Sequence, residues 1–188
     1  MVAVRAPRGP VVFRSTRLYA RQFEEGDAPA AFAMWADPAV TRFTGDESPA
    51  DLAVIAQDIP RWRAVSGHGV GCGFWAVLVE TGEAGAETFV GDVFVRPFRD
   101  RVDEYEIGWH LAAAHWRKGY ATEIAKAAIS YAHAHRLPRL VALIDPANTA
   151  SLRVAEKAGM RFEGLSDRYD PEDGEVAVYI GEGPAVGH

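Results

Sequence analysis

At 188 residues and 48% hydrophobic content, the chain has the size of one domain and can bury a sizeable core. A formal net charge of −6 argues against nucleic acid as the main partner, because duplex binding rests on basic patches; it suits a cationic or amine-bearing partner. The single cysteine, Cys72, excludes an internal disulfide and a cysteine metal cluster, and fits a reducing cytoplasm.

Met1 to Pro10 carries two prolines and no long apolar run. Residues 1–13 therefore read as a loose lead-in and not as a signal peptide. No apolar run approaches membrane-spanning length, so no membrane partner is expected. A first strand is expected near Arg17 to Gln22. A helix follows from Asp27, an N-cap residue type, with Ala31, Met34 and Trp35 on one face. Asp37-Pro38 ends it. Ser48-Pro49, a cap followed by a first-turn proline, opens a second helical region to about Val65. Ser66 to Gly71 reads as a loop. Phe74 to Glu80 and Glu87 to Arg96 form an expected hairpin across the turn at Thr81 to Gly85. Arg96 to Asp103 is a charged connection, and Tyr105 to Leu111 a further strand.

The third helix spans about Lys118 to His135. Ala121, Ile124, Ala125, Ala128, Ile129 and Ala132 recur at spacings of three and four, leaving Glu123, Lys126, Ser130 and His133 mainly outside. Arg139 to Ile144 is an apolar strand. Asn148 caps a short helix that stops at Gly159, with Met160 as the following hydrophobic contact. Strands near Arg161 to Ser166 and Glu175 to Ile180 flank the turn Asp170 to Gly174. Gly181 to His188 reads as a tail, so that residues 1–188 make one domain with 182–188 as its tail.

The stretch from His115 to Glu123 carries the sharpest chemical signal. Arg117 and Lys118 stand just before a Gly119-Tyr120-Ala121 turn that opens a helix. The positive end of the helix macrodipole disfavours cations there. They make sense if an anion docks on the free N–H groups of the first turn, with Gly119 allowing close approach. An ordinary solvated basic turn is the competing reading. The spacing is neither a P-loop nor a dinucleotide fingerprint, and the Mg²⁺-ligand patterns of an NTP-using transferase are missing.

Tyr105 to Glu123, taken with Asp145 to Ser151 and Glu156 to Met160, resembles the GNAT superfamily of N-acetyltransferases. The similarity is greatest to the branch of ribosomal-protein N-terminal acetyltransferases, and it covers roughly residues 14 to 181. Thr16 to Arg21, Gly73 to Val77 and Phe89 to Val93 add to it as the first three strands. The resemblance implies an α+β GNAT (acyl-CoA N-acyltransferase) fold, a mixed, mostly antiparallel seven-stranded sheet flanked by helices. It implies acetyl-CoA as the cofactor, lying where the strands at Tyr105–Leu111 and Arg139–Ile144 splay apart, with coenzyme A as product.

The family's pyrophosphate loop then falls on Trp116, Arg117, Lys118, Gly119, Tyr120, Ala121 and Thr122. Trp116 stands where the family often has Gln or Arg. The pantetheine arm would meet main-chain groups near Trp109, His110 and Leu111, and Asn148. An N–H in that strand would stabilise the oxyanion as the amine attacks. Trp109 is equally a core aromatic by its type, and Asn148 a helix cap. Ser151 matches a residue that lies near the sulfur in that branch, placed to protonate the departing thiolate directly or through water; ordinary first-turn capping is its other reading.

Glu106, in Glu-Ile-Gly-Trp, is the leading general base, with Glu104 on the same strand face and a water chain as alternatives. A salt bridge to Arg96 or Arg101 would account for either carboxylate as well. His110 either lines the acetyl site or faces solvent. His133 and His135 are two apart on a helix, and His110 and His115 span a strand end, so no metal site is expected. Cys72 has no activating partner in sequence, which favours direct transfer in a ternary complex over an acyl-cysteine.

The acceptor is expected to be a primary amine: a protein N-terminus, a lysine or a small molecule. Its pocket is expected from Phe23 to Phe43, Ser66 to Gly73 and Tyr169 to Glu175, with Asp27, Asp46, Asp170, Glu172 and Asp173 as an acidic rim. The resemblance also implies a homodimer. A non-catalytic acyl-CoA-binding sensor or assembly module is the alternative function.

Overall fold

The computed structural model describes residues 9–44, 48–81, 87–98, 101, 103–169 and 174–183. Its elements in chain order are β1 (Val11–Arg14), β2 (Leu18–Gln22), α1 (Ala28–Trp35), α2 (Pro38–Thr41), α3 (Leu52–Ala64), β3 (Gly73–Glu80), β4 (Glu87–Pro97) and β5 (Glu104–Leu111). There follow α4 (Tyr120–Ala134), β6 (Arg139–Ile144), α5 (Thr149–Ala158), β7 (Arg161–Ser166) and β8 (Val176–Glu182).

The eight described strands form one sheet in the order β1-β2-β3-β4-β5-β6-β8-β7. Every neighbouring pair is antiparallel except β5 and β6, which are parallel and joined through α4. The eighth strand, β1, corrects the expected lead-in and the seven-strand sheet. Val11 to Arg14 pairs with β2, and Phe13 stacks on Tyr131 and meets Trp75 edge-on.

The sheet separates two apolar layers. On one face, Trp109, Leu111, Ile107, Val93 and Trp75 pack under Ile124, Ala125, Ala128 and Ala132 of α4 and Ala155 of α5. On the other, Phe74, Phe94, Tyr19 and Leu78 pack under Ala31, Met34 and Trp35 of α1 and Ile55 and Ile59 of α3. The alternation of β5 follows from this division: odd-numbered side chains enter the α4 layer, and even-numbered ones face the α1 side.

The helix ends are set by local capping chemistry, in part at residues other than those expected. Asn148 Oδ1 accepts from the Ser151 N–H at 3.1 Å, and Gly159 stops α5 at φ +92 with the Met160 N–H returning to Ala155 O. α3 starts later than expected. Asp51 caps it by accepting from the Ala53 and Val54 N–H groups, while Ser48 pairs with Thr41. Val65 to His68 continues as a 3₁₀ turn where a loop was expected. Asp27 precedes α1 but does not cap it, because its carboxylate is taken up by Arg21 at 2.7 and 2.8 Å and by the Glu24 N–H.

Candidate active site

The parallel ladder between β5 and β6 is short. It runs from Glu104 opposite Arg139 to Glu106 opposite Val141 and stops. Beyond it, Ile107 to Leu111 pair only with β4, and Ala142 to Ile144 only with β8. The two strands therefore part at Glu106 and leave a gap at their C-terminal ends, where parallel strands joined by a helix leave room for a ligand.

The main chain of β5 is turned usefully there. Ala112 donates its N–H to Val90 O, and the His110 carbonyl lies so close to Gly91 that a Cβ on Gly91 would sit 2.0 Å from it. Even-numbered residues thus aim their polar main-chain groups at β4. By alternation, those of Ile107, Trp109 and Leu111 face the gap.

The loop after β5 closes the top of the gap. Ala113 to His115 form a 3₁₀ turn, Arg117 takes φ +62, and Gly119 takes φ +79 as it opens α4. No side chain caps that helix, so its first N–H groups remain available to an acceptor. The exposed indole of Trp116 donates to Leu111 O at 2.7 Å and ties the loop to the end of β5. Lys118 Nζ lies 3.4 Å from His115 Nδ1. Burial and that ammonium lower the His115 pKa and favour its neutral form.

Arg17, which the sequence reading passed over, stands beside the same turn. Its guanidinium lies over the Tyr120 ring at 4.7 Å and within 3.4 Å of where a Gly119 Cβ would be. Glu123 holds it there. The carboxylate takes the Arg17 Nε–H at 2.7 Å, the Arg17 main-chain N–H at 2.6 Å and the Ser15 hydroxyl at 2.7 Å. Burial pushes the Glu123 carboxyl up, but these three donors outweigh it and hold the group below the ordinary carboxylate range. Glu123 is therefore a latch between α4 and the segment leading into β2, and not a solvated outer-face residue.

On the α1 side, β4 and β5 place their facing side chains as three rungs. At the base of the gap Arg96 Nε donates to Glu106 Oε2 at 2.6 Å, which is the ion pair weighed for this carboxylate. In the middle, the Phe94 ring fills the space of Gly108, where a Cβ would meet it at 2.4 Å. At the top, His110 Nδ1 lies 2.7 Å from Oδ1 of the fully buried Asp92. Trp35 Nε1 donates to the other oxygen, Oδ2, at 3.1 Å, and its ring lies 4.5 Å from the His110 ring. His110 is thus not a solvent-facing strand residue. Glu104 sits below Glu106 on the same face and is engaged by Arg139 at 3.1 Å, by Arg168 and by the Tyr169 hydroxyl.

Residues 17–161 match the family model for the acetyltransferase (GNAT) domain. The chain belongs to the GNAT family of acetyl-CoA-dependent acetyltransferases. Among its relatives is the uncharacterized N-acetyltransferase p20 of Bacillus licheniformis, 28% identical over 166 residues, which are 87% of this chain and 90% of p20. The solved acetyltransferase of Agrobacterium tumefaciens superposes with a TM-score of 0.72 at 29% identity, over 95% of this chain and 97% of that one. RimL, a ribosomal L7/L12 alpha-N-protein acetyltransferase solved with coenzyme A, shares the fold at a TM-score of 0.76 and 15% identity, covering 93% and 98% of the two chains.

In this GNAT chain Glu106 lies at the base of the gap, and the other expected site residues lie nearer its top. Trp109 and Leu111 form one wall of the gap, while His110, expected there too, turns its main-chain groups to β4; Trp116 to Thr122 form the top, and Asn148 and Ser151 stand at the start of α5, the helix that follows β6. Trp109 has its side chain in the core and can offer the gap only main chain. Burial raises the pKa of Cys72 and keeps it a thiol, an unreactive form. Of the expected acidic rim, Asp27 is buried against Arg21 and does not contribute. Asp46, Asp170, Glu172 and Asp173 lie outside the described residues. No described helix is long and apolar enough to cross a membrane.

Proposed function

We propose that the chain transfers an acetyl group from acetyl-CoA to a primary amine by direct attack in a ternary complex. The observation that carries this reading is the gap at which β5 and β6 part, topped by an uncapped helix whose N-cap residue, Gly119, has only the Arg17 guanidinium bordering its side-chain space. The bound thioester supplies the electrophilic carbonyl. The N–H groups of Arg117 to Thr122 hold the pyrophosphate, with Lys118 and Arg17 adding positive charge. The main-chain groups of Trp109 and the N–H of Leu111, whose carbonyl is taken by Trp116, hold the pantetheine arm, and one N–H polarises the thioester carbonyl. Asn148 keeps its carbonyl on the helix cap and has its amide hydrogens left to donate. Ser151 protonates the leaving thiolate.

The acceptor amine enters from the α1 side. Glu106, fixed by Arg96, attracts the amine and can take its proton through water. The acceptor class spans protein N-termini, lysines and small-molecule amines. A cytoplasmic homodimer is the setting we assign to it.

A panel of amines tests this reading: peptides with Ser or Ala N-termini, a lysine peptide, spermidine, glucosamine and kanamycin. Purified protein is mixed with acetyl-CoA, free thiol is followed, and products are weighed by mass spectrometry. We expect thiol release coupled to a 42 Da gain on at least one amine class, and a roughly tenfold or greater loss of kcat in Ser151→Ala. Tight acetyl-CoA binding without transfer to any amine would favour the sensor or assembly module instead.

A further inference from the structure

The upper rung of the β4–β5 ladder has the parts of a histidine base and its orienting carboxylate. Asp92 and His110 are directly opposed across the two strands, and the 2.7 Å contact joins Oδ1 to Nδ1. An ionised carboxylate can only accept, so Nδ1 carries a proton, and in the neutral ring Nε2 is then the nitrogen with the lone pair. Asp92 is fully buried, and Trp35 secures its other oxygen, so the carboxylate has a fixed direction. The His110 ring is wedged between Trp35 and Phe94. Its side chain is 17% exposed, and Nε2 makes no hydrogen bond among the described residues. A ring held on three sides and left with only Nε2 unpaired is costly to build for packing alone.

Position along β5 separates this histidine from Glu106. At ~3.4 Å per residue, Glu106 lies roughly 10 Å before the Trp109 main chain and roughly 14 Å before His110. Its carboxylate is also occupied by Arg96 at 2.6 Å. His110 lies between Trp109 and Leu111, whose main-chain groups face the gap, and its side chain leaves on the α1 side, the side proposed above for amine entry.

We infer that His110 Nε2 is the direct proton acceptor for the attacking amine, with Asp92 as its positioning residue and Glu106 as the carboxylate that draws the amine in. This rests on the acetyl-transfer reading above. The amine nitrogen forms the new C–N bond to the carbonyl carbon, and the C–S bond breaks with its electron pair leaving on sulfur. The nitrogen proton passes to Nε2, and the thiolate is protonated by Ser151, itself resupplied from solvent. His110 then returns its proton to solvent, and all charges balance.

The test uses full-length protein and three readouts. Proton–nitrogen correlation spectra of the wild-type histidine rings should show His110 protonated on Nδ1 and unprotonated on Nε2 at neutral pH. In His110→Gln, calorimetry should give acetyl-CoA affinity within twofold of wild type, while kcat for the best amine of the panel falls about 100-fold or more. In His110→Ala, added imidazole should restore part of the lost rate, which a packing defect would not allow. Asp92→Asn should mix the ring tautomers; should that buried variant fail to fold, the His110 variants still decide. An Nε2-protonated ring, or kcat in His110→Gln within threefold of wild type, would overturn the inference. Wild type that binds no acetyl-CoA would overturn the acetyl-transfer reading, and this one with it.

Discussion

Glu123 shows how much one side chain can organise. It collects three donors from Ser15 and Arg17 and so fixes the guanidinium beside Gly119. Its carboxyl pKa is held below the ordinary 4.5 of a glutamate. A folded-state pKa below the unfolded value contributes stability that is fully present above the unfolded pKa and is lost as pH falls through the folded one. The window is therefore below about pH 4.5. Glu123→Gln should cost about 1–2 kcal/mol at pH 7, discounted because Arg17 is half exposed, and the deficit should shrink as the pH drops under 4.5. Denaturant melts of both proteins at pH 7 and pH 4 measure this. A deficit that stays constant across that range contradicts the latch.

At the scale of elements, register decides which β4 and β5 side chains meet on the α1 side of the sheet. Phe94 depends on the missing Cβ at Gly108 and also stacks near His110, at 6.0 Å. Gly108→Ala must push the ring aside. We expect a loss of about 1–3 kcal/mol of stability and a fall in kcat larger than the change in acetyl-CoA affinity. Thermal melts and calorimetry on one preparation separate the two; unchanged melting would mean that Phe94 has room the structure does not show. The same elements mark what the sequence discloses. β5 is legible from its alternation, and α5 from Asn148 at one end and Gly159 at the other, because both are local signals. α3 is legible as a helix through Pro60, which the structure places on an exposed position where a lost hydrogen bond is tolerated. The Asp92–His110 contact spans 18 residues and the Arg17–Glu123 contact 106, and each exists only once pairing is set. β1 was missed because Val11 to Arg14 has no polar–apolar alternation and follows two prolines. Where the β5–β6 ladder stops is a property of pairing, so resemblance suggested the splay and no periodicity could.

For the molecule as a whole, two apolar layers hold a rigid sheet whose one parallel pair is left incomplete at its C-terminal end. The helices α4 and α5 follow the two diverging strands and begin at that same end. We place the groups that draw in and deprotonate the amine on the α1 side and the phosphate-holding turn and Ser151 on the α4 side, so that the two partners of the proposed transfer meet across the sheet. The central claim is that this gap and the Gly119 turn bind acetyl-CoA. A calorimetric titration of wild type and Gly119→Glu with acetyl-CoA tests it most directly. Gly119 has φ +79 and its side-chain space is bordered only by Arg17, so a glutamate there places a carboxylate where the phosphates belong. The account predicts saturable one-to-one binding by wild type and at least a tenfold weaker affinity in a variant whose melt remains cooperative. Well-folded wild type that takes up no acetyl-CoA, or a folded variant that binds it equally well, would contradict it.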